Sequence, residues 1–525
     1  MTLIICTRSY VRRVSHMKKI APVLLVLVAA LAFAKDGPIP ELRDLDHLIT
    51  ESAAQWHVPG MAVGIVRDGK VVFAQGYGYR NLEQKLPVTT KTLFPIGSVS
   101  KSFTALSIAV LNDRGKLAWD TPVRQYLPTF QLKDSVASER ATVRDLLSHR
   151  TGLARHDVLW YSSDFTRKDI FERLQYLDMS KDFRSAYQYN NLMVMTAGYL
   201  AGEVSGGSWE KLVRETIFTP LDMAASNFDD ADSQKSEDYA LPYAEVKGAI
   251  KPIPFKPVHA IGPAGGINSN LDEMLHYTLM LLANGKYGDK RIVSESALKE
   301  IQSPQTVMGT SPRFTELGYP AYGMGWVVQA YRGHNYIWHN GGIDGFYSLV
   351  CLLPNDNIGL VILTNRLGHS ASEVIAYSIF DRLLHLEPLP WGERFEALEA
   401  KGKQAAAEEE KQAVADRKPG THPSHELREY AGTYENPGYG TARVTFANGK
   451  LSFALNTLSA PIEHYHYDVF MTPNDDENML ALTKLRFNTG SNGEIESLAI
   501  PLQPDVADIV FRRIEEKKSA VTDWE

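Results

Sequence analysis

The sequence predicts an α+β protein in which an antiparallel sheet is flanked by helices and divided by an inserted helical region, with a small all-β barrel appended. Three observations predict it. Strand patterns stand on both sides of a long helical stretch. A charged Ala-Glu-Lys tract then interrupts the chain. Beyond it, short aromatic and β-branched runs alternate with turn residues.

The chain has 525 residues, enough for two or three domains. Hydrophobic residues make up 44% and charged residues 22%, ordinary values for a globular protein. Lys+Arg is 55 against Asp+Glu 62, a net charge of −7, which argues against nucleic acid as a partner.

Met17-Lys18-Lys19, an apolar run from Ile20 to Phe33 and a small-x-small site ending at Ala34 form a secretory signal pattern. Residues 1–34 are therefore expected to be a signal peptide cut near Ala34, with a start codon placed too early before Met17. The expected location is periplasmic or secreted. Cleavage removes Cys6 and leaves Cys351 alone, so no intrachain disulfide is expected. Cys351 sits in Tyr347–Leu353 and reads as a buried strand residue.

The body is expected at 35–388. It opens with a hairpin, Met61–Val66 and Val71–Gly76, turning at Asp68-Gly69. Helical spacing follows from Ser98 to about Leu282, as at Leu106, Ala109 and Val110. Further strands are expected at Gly323–Gln329, Asn335–Trp338, Phe346–Leu353 and Ile358–Thr364, and a terminal helix at Ser370–Leu384. A charged helical linker is expected at 389–424, closed by Pro419-Gly420. The barrel, at 425–516, shows seven strand-like runs, with Asn448-Gly449 as a hairpin turn.

Chemistry concentrates at Ser98-Val99-Ser100-Lys101. Ser98 stands in the first turn of a helical pattern, and Lys101 lies one turn on along the same face. A desolvated lysine can serve as the base that a serine nucleophile needs. Ser-x-x-Lys alone is weak, since it also occurs at Ser15, Ser208 and Ser296. Two further elements single out Ser98. Tyr189-Asn190-Asn191 is a short polar segment between helical stretches, and a tyrosine beside a lysine ammonium can ionise more readily and relay protons. His339-Asn340-Gly341-Gly342 falls at an expected strand end, where glycines let a ligand approach backbone amides.

This set resembles the serine β-lactamase and penicillin-binding protein superfamily, and within it the class C β-lactamase and S12 peptidase branch. The resemblance spans residues 42–388. It includes Gly76-Tyr77-Gly78-Tyr79, Leu146–Leu153 and Pro263–Gly266. It implies Ser98 as acylated nucleophile, Lys101 as proton acceptor, and Tyr189 as relay to the leaving group. It further implies substrate binding by Asn191, His339, Gly341 and Gly342, with the amides of Ser98 and Gly342 as oxyanion hole. The third motif departs from the lysine of most class C enzymes, because a neutral histidine brings no fixed charge to a substrate carboxylate. The implied function is a secreted serine peptidase or amidase on small D-amino-acid peptides, such as a D-Ala-D-Ala carboxypeptidase or D-aminopeptidase. Its substrates would be small molecules or short peptides, with peptidoglycan fragments among the candidates. A carboxylic esterase, a β-lactamase and a non-catalytic cell-wall binder remain alternatives. No cofactor or metal motif appears, and the oligomeric state is not set by the sequence. His149 and His156 read as structural, and His464 and His466 as surface residues of one strand.

Overall fold

The computed structural model describes residues 39–514, apart from 162, 310 and 476–478. The signal expected at 1–34 lies outside the described residues. The opening hairpin pairs β1 (Gly60–Arg67) with β2 (Lys70–Asn81). Asp68 and Gly69 both take positive φ, 51° and 73°, as a tight two-residue hairpin turn requires. Along the edge of β2 lies β3 (Leu86–Pro87).

The remaining strands of the main sheet come from far downstream. They are β4 (Thr306–Val307), β5 (Ala321–Tyr322), β6 (Val327–Tyr331), β7 (His334–Ile343), β8 (Phe346–Leu353) and β9 (Ile358–Thr364). The order is β4-β5-β6-β7-β8-β9-β1-β2-β3, antiparallel throughout. Both ends of the domain thus share one sheet. Its central strands β8 and β9 are buried along their whole length, because both faces are covered. Helices α1 (Leu45–Gln55) and α5 (Ala371–Leu383) cover one face, where Met61, Val63 and Ile65 point. Ala62 and Val66 point to the other face, and there α4 (Leu271–Leu282) packs against β1 and β9.

Between the two sets of strands runs the helical region. Its centre is α2 (Ser100–Asp113), buried from Ser100 through Leu111. A helix apolar on most sides must be enclosed. Helix α3 (Asn191–Ser205) packs against it.

Two strand expectations change. Of the run Gly323–Gln329 only Val327–Gln329 is strand, in β6; the four residues before it form the turn from β5, where Gly325 takes φ 76° as the chain passes α2. A Cβ on Gly325 would lie 2.6 Å from the Lys101 carbonyl oxygen. Strand β7 runs on to Ile343, so His339–Gly342 lies within a strand and not at its end. Gly341 pairs with Ser348 and Gly342 with Tyr347.

The α6 helix (Trp391–Ala415) follows, with Trp391 and Phe395 buried against the body. The C-terminal strands are β10 (Gly432–Asn436), β11 (Gly440–Ala447), β12 (Lys450–Leu455), β13 (Leu458–His466), β14 (Val469–Met471), β15 (Lys484–Thr489), β16 (Ile495–Ile500) and β17 (Ile509–Ile514). They close into a barrel, with β10 pairing both β11 and β17. The barrel strand not expected is β13. Its Pro461 reads as a strand breaker, but the barrel seats it opposite Ser452. Tyr434 is buried and donates to the Tyr430 carbonyl at 2.8 Å. Cys351 is fully buried in β8, and burial pushes its thiol pKa up.

Candidate active site

Ser98 lies in a single 3-10 turn, Gly97–Val99, that runs directly into α2. The turn is wedged against β7. Gly97 takes φ 49°, and a methyl there would sit 3.0 Å from the Gly342 nitrogen. The Ile96 carbonyl accepts from Ser348 Oγ at 2.7 Å, and a Cβ on Gly341 would fall 1.9 Å from that same carbonyl oxygen. Glycine at 341 is therefore what lets the strand reach the serine turn. These contacts bring Gly341 and Gly342 beside Ser98.

Lys101 is fully buried, with Nζ 2.9 Å from Ser98 Oγ and 2.7 Å from the Ala264 carbonyl oxygen. Burial drives its pKa well below the ordinary lysine value; the Asp157 carboxylate opposes this and the Arg155 guanidinium adds to it. Tyr189 OH donates to Ser98 Oγ at 2.8 Å. Burial raises the Tyr189 pKa, against the Ser98 hydrogen bond and the Arg155 charge. The expectation of an easily ionised tyrosine thus meets the opposite tendency: burial disfavours the ammonium of Lys101 and the phenolate of Tyr189 alike.

Asn191 opens α3, and its Nδ2 donates to Asp157 Oδ1 at 3.0 Å. A carboxylate only accepts, so this bond fixes the amide and leaves Asn191 Oδ1 as the acceptor for a ligand N–H. Asn190 between them was not singled out by the sequence. Its Oδ1 caps α3 by accepting from Met193 N–H at 2.9 Å, and its Nδ2 donates to the carbonyls of Leu153 and Ala154. A short polar run before a helical pattern is a capping signal, and that signal was available at Asn190.

His339 is buried on β7. Its Nδ1 lies 2.6 Å from the Asn340 carbonyl and its Nε2 2.9 Å from Tyr322 OH. The carbonyl accepts, so Nδ1 carries the hydrogen and Nε2 accepts from the tyrosine. Burial lowers its pKa to about 3, and the nearby Lys101 contributes. A substrate carboxylate at this point meets no cation from His339. His149 is also buried and accepts from Asn190 N–H at 3.2 Å, its ring 4.5 Å from that of Tyr189. His464 and His466 sit at a bulge in β13, where His464 Nε2 lies 2.9 Å from the Tyr467 carbonyl. Among the described residues, no group of three or more His, Cys, Asp or Glu gathers to hold a metal.

A serine at the head of a buried helix, joined to a buried lysine and a tyrosine beside an antiparallel strand, defines the serine hydrolases of the β-lactamase and penicillin-binding type. The chain belongs to the Beta-lactamase family, whose model matches residues 45–383. A second model, a domain of unknown function, matches residues 416–513 and covers the barrel. The chain is 29% identical over 503 residues to the unguisins hydrolase ungD' of Aspergillus campestris, covering 90% of this chain and 92% of that protein. It is 25% identical over 330 residues to protein flp of Staphylococcus aureus, covering 62% of this chain and 63% of that protein. The octameric penicillin-binding protein homologue from Pyrococcus abyssi has a similar fold, with TM-score 0.59 and 23% identity over 89% of this chain and 99% of that one.

Proposed function

We propose that the protein is an exported serine hydrolase that forms an acyl-enzyme on Ser98 and cleaves small peptides containing D-amino acids. The observation that carries this reading is the double contact at Ser98 Oγ, with Lys101 Nζ at 2.9 Å and Tyr189 OH at 2.8 Å. Neutral Lys101 takes the proton of Ser98 as Oγ attacks the substrate carbonyl. The amides of Ser98 and Gly342 receive the oxyanion. As the tetrahedral intermediate collapses, Tyr189 gives its proton to the leaving nitrogen and recovers one from Lys101. Water then enters by the reverse route and frees Ser98. Asn191 Oδ1 accepts from a substrate amide N–H, and the absence of a cation at His339 favours substrates that need no carboxylate anchor there. The relative named for unguisin hydrolysis supports a hydrolase reading along nearly the whole chain.

The test compares mature protein and Ser98→Ala on D-Ala-D-Ala peptides, D-alanine p-nitroanilide, p-nitrophenyl butyrate and a chromogenic cephalosporin. Cleavage of either D-amino-acid substrate, lost in Ser98→Ala, is the expected result. Ester turnover alone selects an esterase, and rapid cephalosporin opening selects a β-lactamase. A mature N-terminus at Lys35 in exported material checks the signal.

A further inference from the structure

The loop 153–161 carries two charged side chains, Arg155 and Asp157, whose fields reach the proposed base. Arg155 places its guanidinium 5.0 Å from the centre of the Tyr189 ring. Asp157 accepts from Asn191 Nδ2, from Trp160 Nε1 at 2.8 Å and from Arg155 Nε at 2.7 Å. The other titratable groups facing Lys101 are Tyr189, which burial keeps protonated, and His149 and His339, which burial keeps neutral. The position of this loop therefore sets the charge around Lys101 and the orientation of Asn191.

The residue between the two charges is held by the barrel. His156 is fully buried and takes left-handed φ 49°, ψ 38°. Its backbone N–H donates to Gln503 Oε1 at 2.5 Å, and its Nδ1 lies 2.7 Å from Tyr439 OH. Gln503 and Tyr439 both come from the barrel domain, Tyr439 from the β10–β11 turn. His156 Nε2 lies 2.8 Å from the Asp178 carbonyl, which can only accept, so Nδ1 accepts from Tyr439 OH. The same turn is held by a second residue of the body, as Arg173 Nη1 donates to the Pro437 carbonyl at 2.8 Å. A left-handed non-glycine residue persists only where its surroundings hold it.

We infer that the barrel is a working part of the active site: through Tyr439 and Gln503 it clamps His156 and so positions Arg155 and Asp157 against Tyr189, Asn191 and Lys101. Tyr439, Gln503 and His156 are positioning residues, remote from the reacting atoms. The inference rests on the proposed function only in taking Ser98 as the nucleophile.

The test substitutes Tyr439→Phe, which keeps the ring and removes one hydroxyl, with Gln503→Ala as a second variant should the first be insoluble. Hydrogen exchange in peptides covering 153–161 should quicken. Labelling of Ser98 by a fluorophosphonate should slow about threefold to tenfold, the worth of one hydrogen bond. The acid limb of the labelling rate against pH should shift, because the charges around Lys101 have moved. In an Asp157→Asn background, the effect of Tyr439→Phe on labelling should disappear, since both act through one loop. Unchanged exchange in 153–161 overturns the clamp. Unchanged labelling, an unmoved acid limb, or additive effects in the double variant overturn its link to the site. A wild-type protein not labelled at Ser98 counts against the nucleophile, while the exchange result still decides the clamp.

Discussion

Lys101→Met is expected to lower kcat/KM by at least ~10³-fold while leaving the fold at least as stable as the wild type near neutral pH. The loss follows from geometry, since among the described residues Lys101 is the base in contact with Ser98 Oγ. Stability is retained for a different reason. In the unfolded chain lysine is charged, whereas in the fold burial depresses its pKa. Between those two values the unfolded state holds one more proton than the native state. Wild-type stability therefore rises with pH through that window and falls as pH drops toward the folded value. Methionine has no such term, so any thermal advantage of Lys101→Met should be largest near neutral pH and shrink as pH approaches the free-lysine value of about 10.4. It loses the bond to Ala264, which offsets part of the gain. Calorimetric melting at several pH values, with kinetics on the same samples, checks both halves. Activity within tenfold of wild type would sink the assignment of the base.

Gly341→Ala should produce a comparable loss without touching a reactive group. Its Cβ would stand 1.9 Å from the Ile96 carbonyl oxygen and 2.6 Å from Ser348 Oγ. Neither the backbone nor the bonded serine can absorb that overlap, so β7 must draw away from the Ser98 turn. Such a shift moves Gly342 N–H, the proposed oxyanion donor, relative to Ser98. A displacement of about 1 Å at a reacting centre costs about 10²-fold in rate. The overlap should also destabilise by about 1–3 kcal/mol. Gly402→Ala is the matched control. It lies inside α6 with open space around it, so activity should be unchanged and stability slightly raised. Kinetics and thermal melts of the two variants decide the matter; Gly341→Ala at wild-type rates would mean that β7 plays no part.

The site and the fold were legible in the sequence where contacts are local. Ser98 and Lys101 are one helical turn apart, and the Asp68-Gly69 hairpin is written in its turn residues. Tyr189, Asn191 and His339 stood out in short polar or glycine-flanked runs, but their meeting at Ser98 was legible only through a family resemblance, because it depends on how the sheet and helices close. Ala264, which shares Lys101 Nζ, is 163 residues from it, and a backbone carbonyl leaves no mark in side-chain patterns. The direction in which burial shifts Lys101 and Tyr189 also escaped, since burial is a property of the fold. Tyr439 lies 283 residues from His156, and nothing in either neighbourhood points to the other.

The central claim is that Ser98 becomes acylated. Intact-mass measurement of mature wild type and Ser98→Ala, after timed exposure to a penicillin and to p-nitrophenyl butyrate, tests it most directly. The account predicts an acyl mass on the wild type, mapped to Ser98 and absent from the variant, from at least one of the two. An adduct that persists in Ser98→Ala, or turnover of either compound at equal rates by both proteins, would contradict it.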